Sequence, residues 1–302
     1  MNARPILVTG KSGQLARSLN DWAVQRDIPM VLAGRPEFNL ENAYEVDQIV
    51  KTVNPRVIIN AAAYTAVDRA EEEADQAFSV NRNGAEHLAC VAELKRIPLI
   101  HISTDYVFDG AKQTSYVEDD TPAPLNVYGR SKLEGELGVL TFYPAAIVIR
   151  SSWIYGPYGH NFLRTMLRLA QTQSAVKVVD DQRGTPTSSR HLAAGIMRII
   201  EQLDSGCSTD VGGIYHLTNQ GETTWYGFAV EIFRALSRRG IAVPKLWPIE
   251  SRDYPTRARR PHNSCLNTGK IERVFGIRLG PWREAMEACL DELLPARKLQ
   301  SC

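Results

Sequence analysis

The 302-residue chain is 44% hydrophobic and 23% charged, with a formal net charge of +1. That is the balance of a globular protein with a sizeable core, and it supplies no chain-wide field to attract nucleic acid or an anionic membrane. Five cysteines (Cys90, Cys207, Cys265, Cys289 and Cys302) form no C-x-x-C pair and do not cluster with the six histidines, which argues for reduced thiols and against a zinc site. The amino terminus runs into an apolar strand without a signal-like segment, and no run approaches the roughly 18 apolar residues of a membrane span. The expectation is a cytoplasmic protein with neither nucleic acid nor membrane as a partner.

In chain order, residues 6–9 read as a buried strand and 13–25 as a helix with Leu15, Leu19, Trp22 and Ala23 on one face. A strand follows at 30–33, then a helix at 42–53 ended by Asn54-Pro55, a strand at 57–60, a largely helical stretch at 71–95, and strands at 99–103 and 146–150. The strands are continuous Val/Ile/Leu runs rather than alternating ones, as expected where both faces are covered. Strands separated by helices predict a Rossmann-like, doubly wound parallel sheet. Beyond about residue 155 the pattern loosens. Helices are readable at 162–172, 190–203, 225–239 and 281–294, while 244–267, with Pro244, Pro248, Pro255 and Pro261, reads as loop. The expected division is residues 1–155 and a smaller, irregular C-terminal domain, 156–302, some of whose elements can return to the first.

The first strand is followed by Gly10-Lys11-Ser12-Gly13-Gln14-Leu15-Ala16. Glycines between a strand and a helix allow a sharp turn and a close approach of backbone N–H groups to a pyrophosphate, with the helix N-terminus facing the anion. Gly10, Ser12 and Gly13 are therefore candidate dinucleotide contacts. After the second strand stands Arg35, where a fold selective for NAD places an acid. Arg35 either meets a 2′-phosphate or is a solvated surface arginine; the first reading favours NADPH, with NADH also usable. Ala61, Ala62 and Ala63, then Tyr64 and Thr65, end the third strand with small side chains against which a flat cofactor can lie.

Tyr128-Gly129-Arg130-Ser131-Lys132 places a phenol and an ammonium one helical turn apart. The ammonium is expected to lower the phenol's pKa and fit Tyr128 to donate a proton to a carbonyl oxygen. Upstream, a buried strand ends in Ser103-Thr104-Asp105, where a hydroxyl can hydrogen-bond the same oxygen or cap the turn.

With these motifs, Asn60 to Asp68, Ser103 to Gly110, Pro124 to Lys132 and Arg150 to Tyr155 together resemble the extended short-chain dehydrogenase/reductase family, in the branch whose members reduce dTDP-4-dehydro-L-rhamnose. The resemblance covers nearly the whole chain. It implies an NAD(P)H-dependent oxidoreductase with a dinucleotide-binding first domain and a second domain for a dTDP-sugar, feeding cell-surface polysaccharide synthesis. Tyr128 would be the proton donor, Lys132 its electrostatic partner and a ribose ligand, and Thr104 the carbonyl's hydrogen-bond donor. Gln14, Leu15, Asn39, Leu40 and Ile102 would join the cofactor contacts named above. Val67, Asp105, Val107 and Trp153 would meet the sugar nucleotide, Trp153 being alternatively a half-buried core aromatic. The arginines from Arg252 to Arg260 are either a diphosphate site or a solvated loop. Ser18 and Arg190 stand where several members carry glutamates for a magnesium-linked dimer, so no such metal site is expected, and the chain is expected to be a monomer or homodimer. Rival readings are a reductase or epimerase of another nucleotide sugar, and a non-catalytic subunit like the regulatory one of methionine adenosyltransferase.

Overall fold

A computed structural model describes residues 4–206 and 211–294. Its centre is a six-stranded, wholly parallel sheet whose order across the molecule is Gly213–His216, Ile147–Ser151, Leu99–Thr104, Val57–Asn60, Ile6–Thr9, Met30–Ala33. The strands are short, and the four inner ones are almost wholly buried because helices cover both faces. One face packs Ile6, Val8, Val57 and Ile59 under the helices Gln14–Val24 and Ser189–Asp204. The other packs Leu7, Ile58, Leu99 and Val148 under Ala43–Val53, Ala85–Leu94 and Val127–Phe142. The chain order reverses between Ile6–Thr9 and Val57–Asn60, which opens a crevice at the carboxyl ends of those strands.

Local chemistry sets the helix ends. Asn42 caps Ala43–Val53 by accepting from the backbone N–H of Tyr44 and Glu45, and Asn54 ends it in a left-handed conformation, φ 46°. Asn126 caps Val127–Phe142 through the Gly129 N–H.

Three departures from the sequence reading bear on the site. The stretch 71–95 is not one helix: Ala74–Phe78 passes into a π-helical turn, Ser79–Gly84, before Ala85–Leu94. The sheet gains its sixth strand from Gly213–His216, so the half beyond residue 155 supplies both a strand and the covering helix Ser189–Asp204. Within the expected loop, Lys245–Ile249 is a strand paired in parallel with Ala175–Val179; an edge position tolerates its Pro248. These two strands, the helices Phe162–Thr172, Trp225–Arg238 and Trp282–Leu293, and Tyr155 enclose a third core.

Candidate active site

Gly10 turns the chain out of the first strand at φ +80°, and a Cβ there would lie 2.9 Å from the Ala61 carbonyl oxygen and Ala62 backbone. Only glycine fits that turn. Gly13 caps the following helix without any side-chain hydrogen bond, so the first N–H groups of that helix remain available to an anion. A groove of about 700 Å³ opens there. Gly10, Ser12, Gly13, Arg35, Asn39, Leu40 and the run Ala61 to Thr65 line it, as expected from the sequence; Lys11, Phe38 and Gln76 were not anticipated. Arg35 is exposed and pairs with Glu41, Lys11 pairs with Glu37, and Arg69 pairs with Glu73 at the same groove, so each of these cations has a carboxylate beside it. Gln14 and Leu15 do not line it with their side chains. Gln14 donates to the Ile154 carbonyl at 2.9 Å, and Leu15 is buried in the core, which leaves only their backbone N–H groups to face a ligand. The cradle and the uncapped helix end fit a dinucleotide.

The π-helical turn has a function that helical periodicity does not reveal. It aims the buried Asn81 so that its carbonyl accepts the Tyr64 N–H at 2.9 Å while its amide donates to the Tyr64 carbonyl at 3.1 Å and to Ser131 Oγ at 2.9 Å. One side chain thereby ties the groove wall to the helix that carries Tyr128. Gly129 brings that helix against the preceding turn: a Cβ there would fall 2.2 Å from the Tyr106 carbonyl oxygen.

Thr104, Tyr128 and Lys132 come together at the carboxyl end of Leu99–Thr104. Thr104 donates to Asp105 Oδ1 at 3.0 Å, accepts from the Tyr106 N–H, and its hydrogen bond to Tyr128 works to lower that phenol's pKa. Burial outweighs it and pushes Tyr128 up to about 12. This corrects the expectation of a phenol acidified by its lysine neighbour. The Lys132 side chain is buried, donates to the Ile102 carbonyl at 2.7 Å, lies 3.4 Å from His101 Nε2, and is itself brought down to about 8 by burial, against the opposing charge of Glu136. Ile102 enters through its carbonyl, not its side chain.

Asp105 is buried, with Oδ2 unpartnered, and burial raises it to about 7 against hydrogen bonds from Ser264 and Thr104. Val107 is a correction: its side chain is wholly buried with Phe108, Tyr116 and Leu266, and its carbonyl accepts from the Ala123 N–H, so it presents nothing to a ligand. Val67 opens a short helix and is half-buried. Trp153, half-buried at φ 46°, stacks on Trp225 at 3.5 Å.

Trp225 in turn lines a second cavity, about 880 Å³, walled by Phe162, Met166 and Val178 and rimmed by Arg252 and Arg259. Sequence reading missed its apolar wall, because those residues also satisfy a helix or strand core pattern. The arginine patch divides. Arg260 is bound bidentately by Asp68 (2.7 and 3.1 Å), and Arg257 pairs with Glu72 at 2.6 Å. Ser18 meets Ser189 at 2.8 Å, and Arg190 is held by Asp21 and Glu292, each at 2.5 Å.

The model of the RmlD substrate binding domain matches residues 4–294, almost the whole chain. The chain belongs to this family. The dTDP-4-dehydrorhamnose reductase of Sinorhizobium fredii is 44% identical over 289 residues, covering 96% of this chain and 97% of that protein. Among solved structures of the family's reductases, that from Clostridium acetobutylicum superposes with a TM-score of 0.89 at 36% identity, covering 96% of this chain and 99% of that one. The Bacillus anthracis enzyme, in complex with NADP, does so with a TM-score of 0.88 at 33% identity and the same coverage. The family's extended short-chain dehydrogenase architecture is the one described above.

Proposed function

We infer that this chain reduces the C4 keto group of dTDP-4-dehydro-L-rhamnose to dTDP-L-rhamnose, with NADPH as hydride donor and NADH as a second one, in the cytoplasm. The observation that carries this reading is the gathering of Thr104, Tyr128 and Lys132 at one strand end, with their helix tied through Asn81 to the wall of the groove, in a chain matched over nearly its whole length by reductases of that sugar nucleotide.

Gly10, Gly13 and the uncapped helix N-terminus would hold the cofactor's pyrophosphate, Arg35 and Lys11 its 2′-phosphate, and Lys132 its ribose. When bound there, the cofactor supplies a hydride to the ketone carbon. Thr104 hydrogen-bonds the ketone oxygen, and Tyr128 gives that oxygen its proton. A phenol held near 12 stays protonated at any physiological pH, yet it is still a far stronger acid than the alcohol being formed, so transfer to a developing alkoxide runs downhill. Lys132 stabilises the phenolate left behind. The second cavity suits the sugar nucleotide, its apolar wall taking the base and Arg252 and Arg259 the diphosphate. The purified chain, given NADPH and dTDP-4-dehydro-L-rhamnose, should steadily consume the reduced nicotinamide's near-ultraviolet absorbance. Turnover without net cofactor consumption would point to an epimerase, and no turnover by the chain alone to a non-catalytic subunit.

A further inference from the structure

Lys132 stands on a row of buried polar side chains that the reaction just described does not use. Thr9 is opposite Asn60, and Asn60 opposite His101, on three adjacent strands, so the three side chains form one line across the sheet beneath the helix Val127–Phe142. Each is at most 1% exposed, on a face shared with the apolar Leu7, Ile58, Leu99 and Val148 and, toward the strand ends, with Ser103 and Arg150, which are matched by Glu136. Thr9 Oγ1 donates to Asn60 Oδ1 at 2.7 Å, the Asn60 amide lies 3.0 Å from His101 Nδ1, and His101 Nε2 lies 3.4 Å from Lys132 Nζ. At the other end Thr9 Oγ1 accepts the Ala62 N–H at 3.1 Å, so the row reaches the floor of the cofactor groove. Three polar residues in an apolar layer are costly unless each is matched, and the match they make leads to the lysine.

We propose that His101, oriented by Asn60 and Thr9, is the positioning residue of Lys132: its neutral imidazole accepts the ammonium at Nε2 and fixes that charge one helical turn from Tyr128. The proposal rests on the reductase reading above. An ammonium has only donors, so Nε2 must accept and Nδ1 carries the ring proton. Nδ1–H then needs an acceptor, which Asn60 provides by turning its amide half round and passing its own N–H to Thr9. In the other seating, with the Asn60 amide donating to Nδ1, the ring proton lies on Nε2 and suits Lys132 as a neutral amine. A half-turn of one side chain lets the row receive either charge of Lys132. Burial holds His101 well below its ordinary pKa, which keeps its ring neutral and able to accept. The other ionisable groups around the lysine are Tyr128 and Glu136 on its own helix, Asp105 beyond the strand Leu99–Thr104, and Arg150 on the next strand, where it is paired with Glu136.

The test is the titration of Lys132 in the free protein, followed by NMR of carbon-13-labelled lysine and assigned with Lys132→Met. His101→Leu should move the titration down by about one unit or more, a tenfold loss of proton affinity. His101→Gln, which keeps an acceptor, should stay close to the native chain. Asn60→Leu, which removes the partner that seats the ring without adding a charge, should also move it down. The alkaline limb of the kcat/KM profile should follow in the same directions. A merely structural role would lower the Tm of His101→Leu with its titration in place, and that result would overturn the proposal. If His101→Leu does not fold, Asn60→Leu decides, and an unmoved or raised titration in it is equally fatal. Movement of the titration as stated in a chain that does not turn over the sugar would refute the substrate reading alone. Normal turnover with an unmoved titration would refute the positioning role alone.

Discussion

Arg150→Met removes one half of a fully buried ion pair. Arg150 gives Glu136 three hydrogen bonds, at 3.0, 3.1 and 2.6 Å, with both side chains 1% exposed, and Ser103 also donates to the same carboxylate. Without the guanidinium, Glu136 keeps only Ser103 among these partners, in a site closed to water. Stranding one member of a buried pair costs about 3–5 kcal/mol, which for a chain of this size is a Tm lower by roughly 10 °C. Replacing both partners, Arg150→Met with Glu136→Leu, should recover much of the loss, because an apolar pair leaves no orphaned charge. Urea unfolding of the native chain, both single variants and the double variant measures the coupling directly. A double variant no more stable than Arg150→Met, or an Arg150→Met within about 1 kcal/mol of the native chain, would refute the reasoning. The double variant also separates stability from chemistry: Glu136 opposes the depression of Lys132, so the stable double variant should still lose activity at a lower pH than the native chain.

Tyr128→Phe should cut turnover by about 10²–10⁴-fold while NADPH affinity, read by quenching or enhancement of nicotinamide fluorescence, stays within about threefold; near-normal turnover would remove Tyr128 from the chemistry. Arg35→Ala should weaken NADPH binding a few-fold to about tenfold, less than a buried charged contact would, and leave NADH binding unchanged; equal effects on both would assign Arg35 to the rim alone. Asp105, raised by burial from 3.8 to about 7, holds its proton in the folded chain over a range where the unfolded chain has released it. Stability should therefore fall as pH rises through that range, and Asp105→Asn should flatten the profile there. A native profile already flat between those values would show that the carboxyl finds solvation or a partner.

The half of the protein that was legible in the sequence is the half governed by short-range rules. Continuous apolar runs, the Asn54-Pro55 stop and the glycine turn after the first strand each specify their structure locally, and they place the groove beside the first helix and the strands along the chain. Tyr128 and Lys132 were legible because helical spacing puts them on one face. The second cavity, the Gly213–His216 strand and the Lys245–Ile249 strand were not, because short segments with glycine or proline become strands only when an edge is offered to them.

By itself the sequence pointed to most of the residues that line the groove and to the Tyr128 and Lys132 pair, since both follow from periodicities of a few residues. Only the tertiary structure decided the electrostatics of that pair. Burial raises Tyr128 and depresses Lys132, opposite in sense for Tyr128 to what a lysine one turn away implies in water. It also decided that Val107 faces the core, that Asn81 binds groove to helix, and that Thr9, Asn60 and His101 line up beneath Lys132. Strand register brings these residues together over separations of dozens of positions, and desolvation, which depends on everything packed around a group, sets how strongly they act.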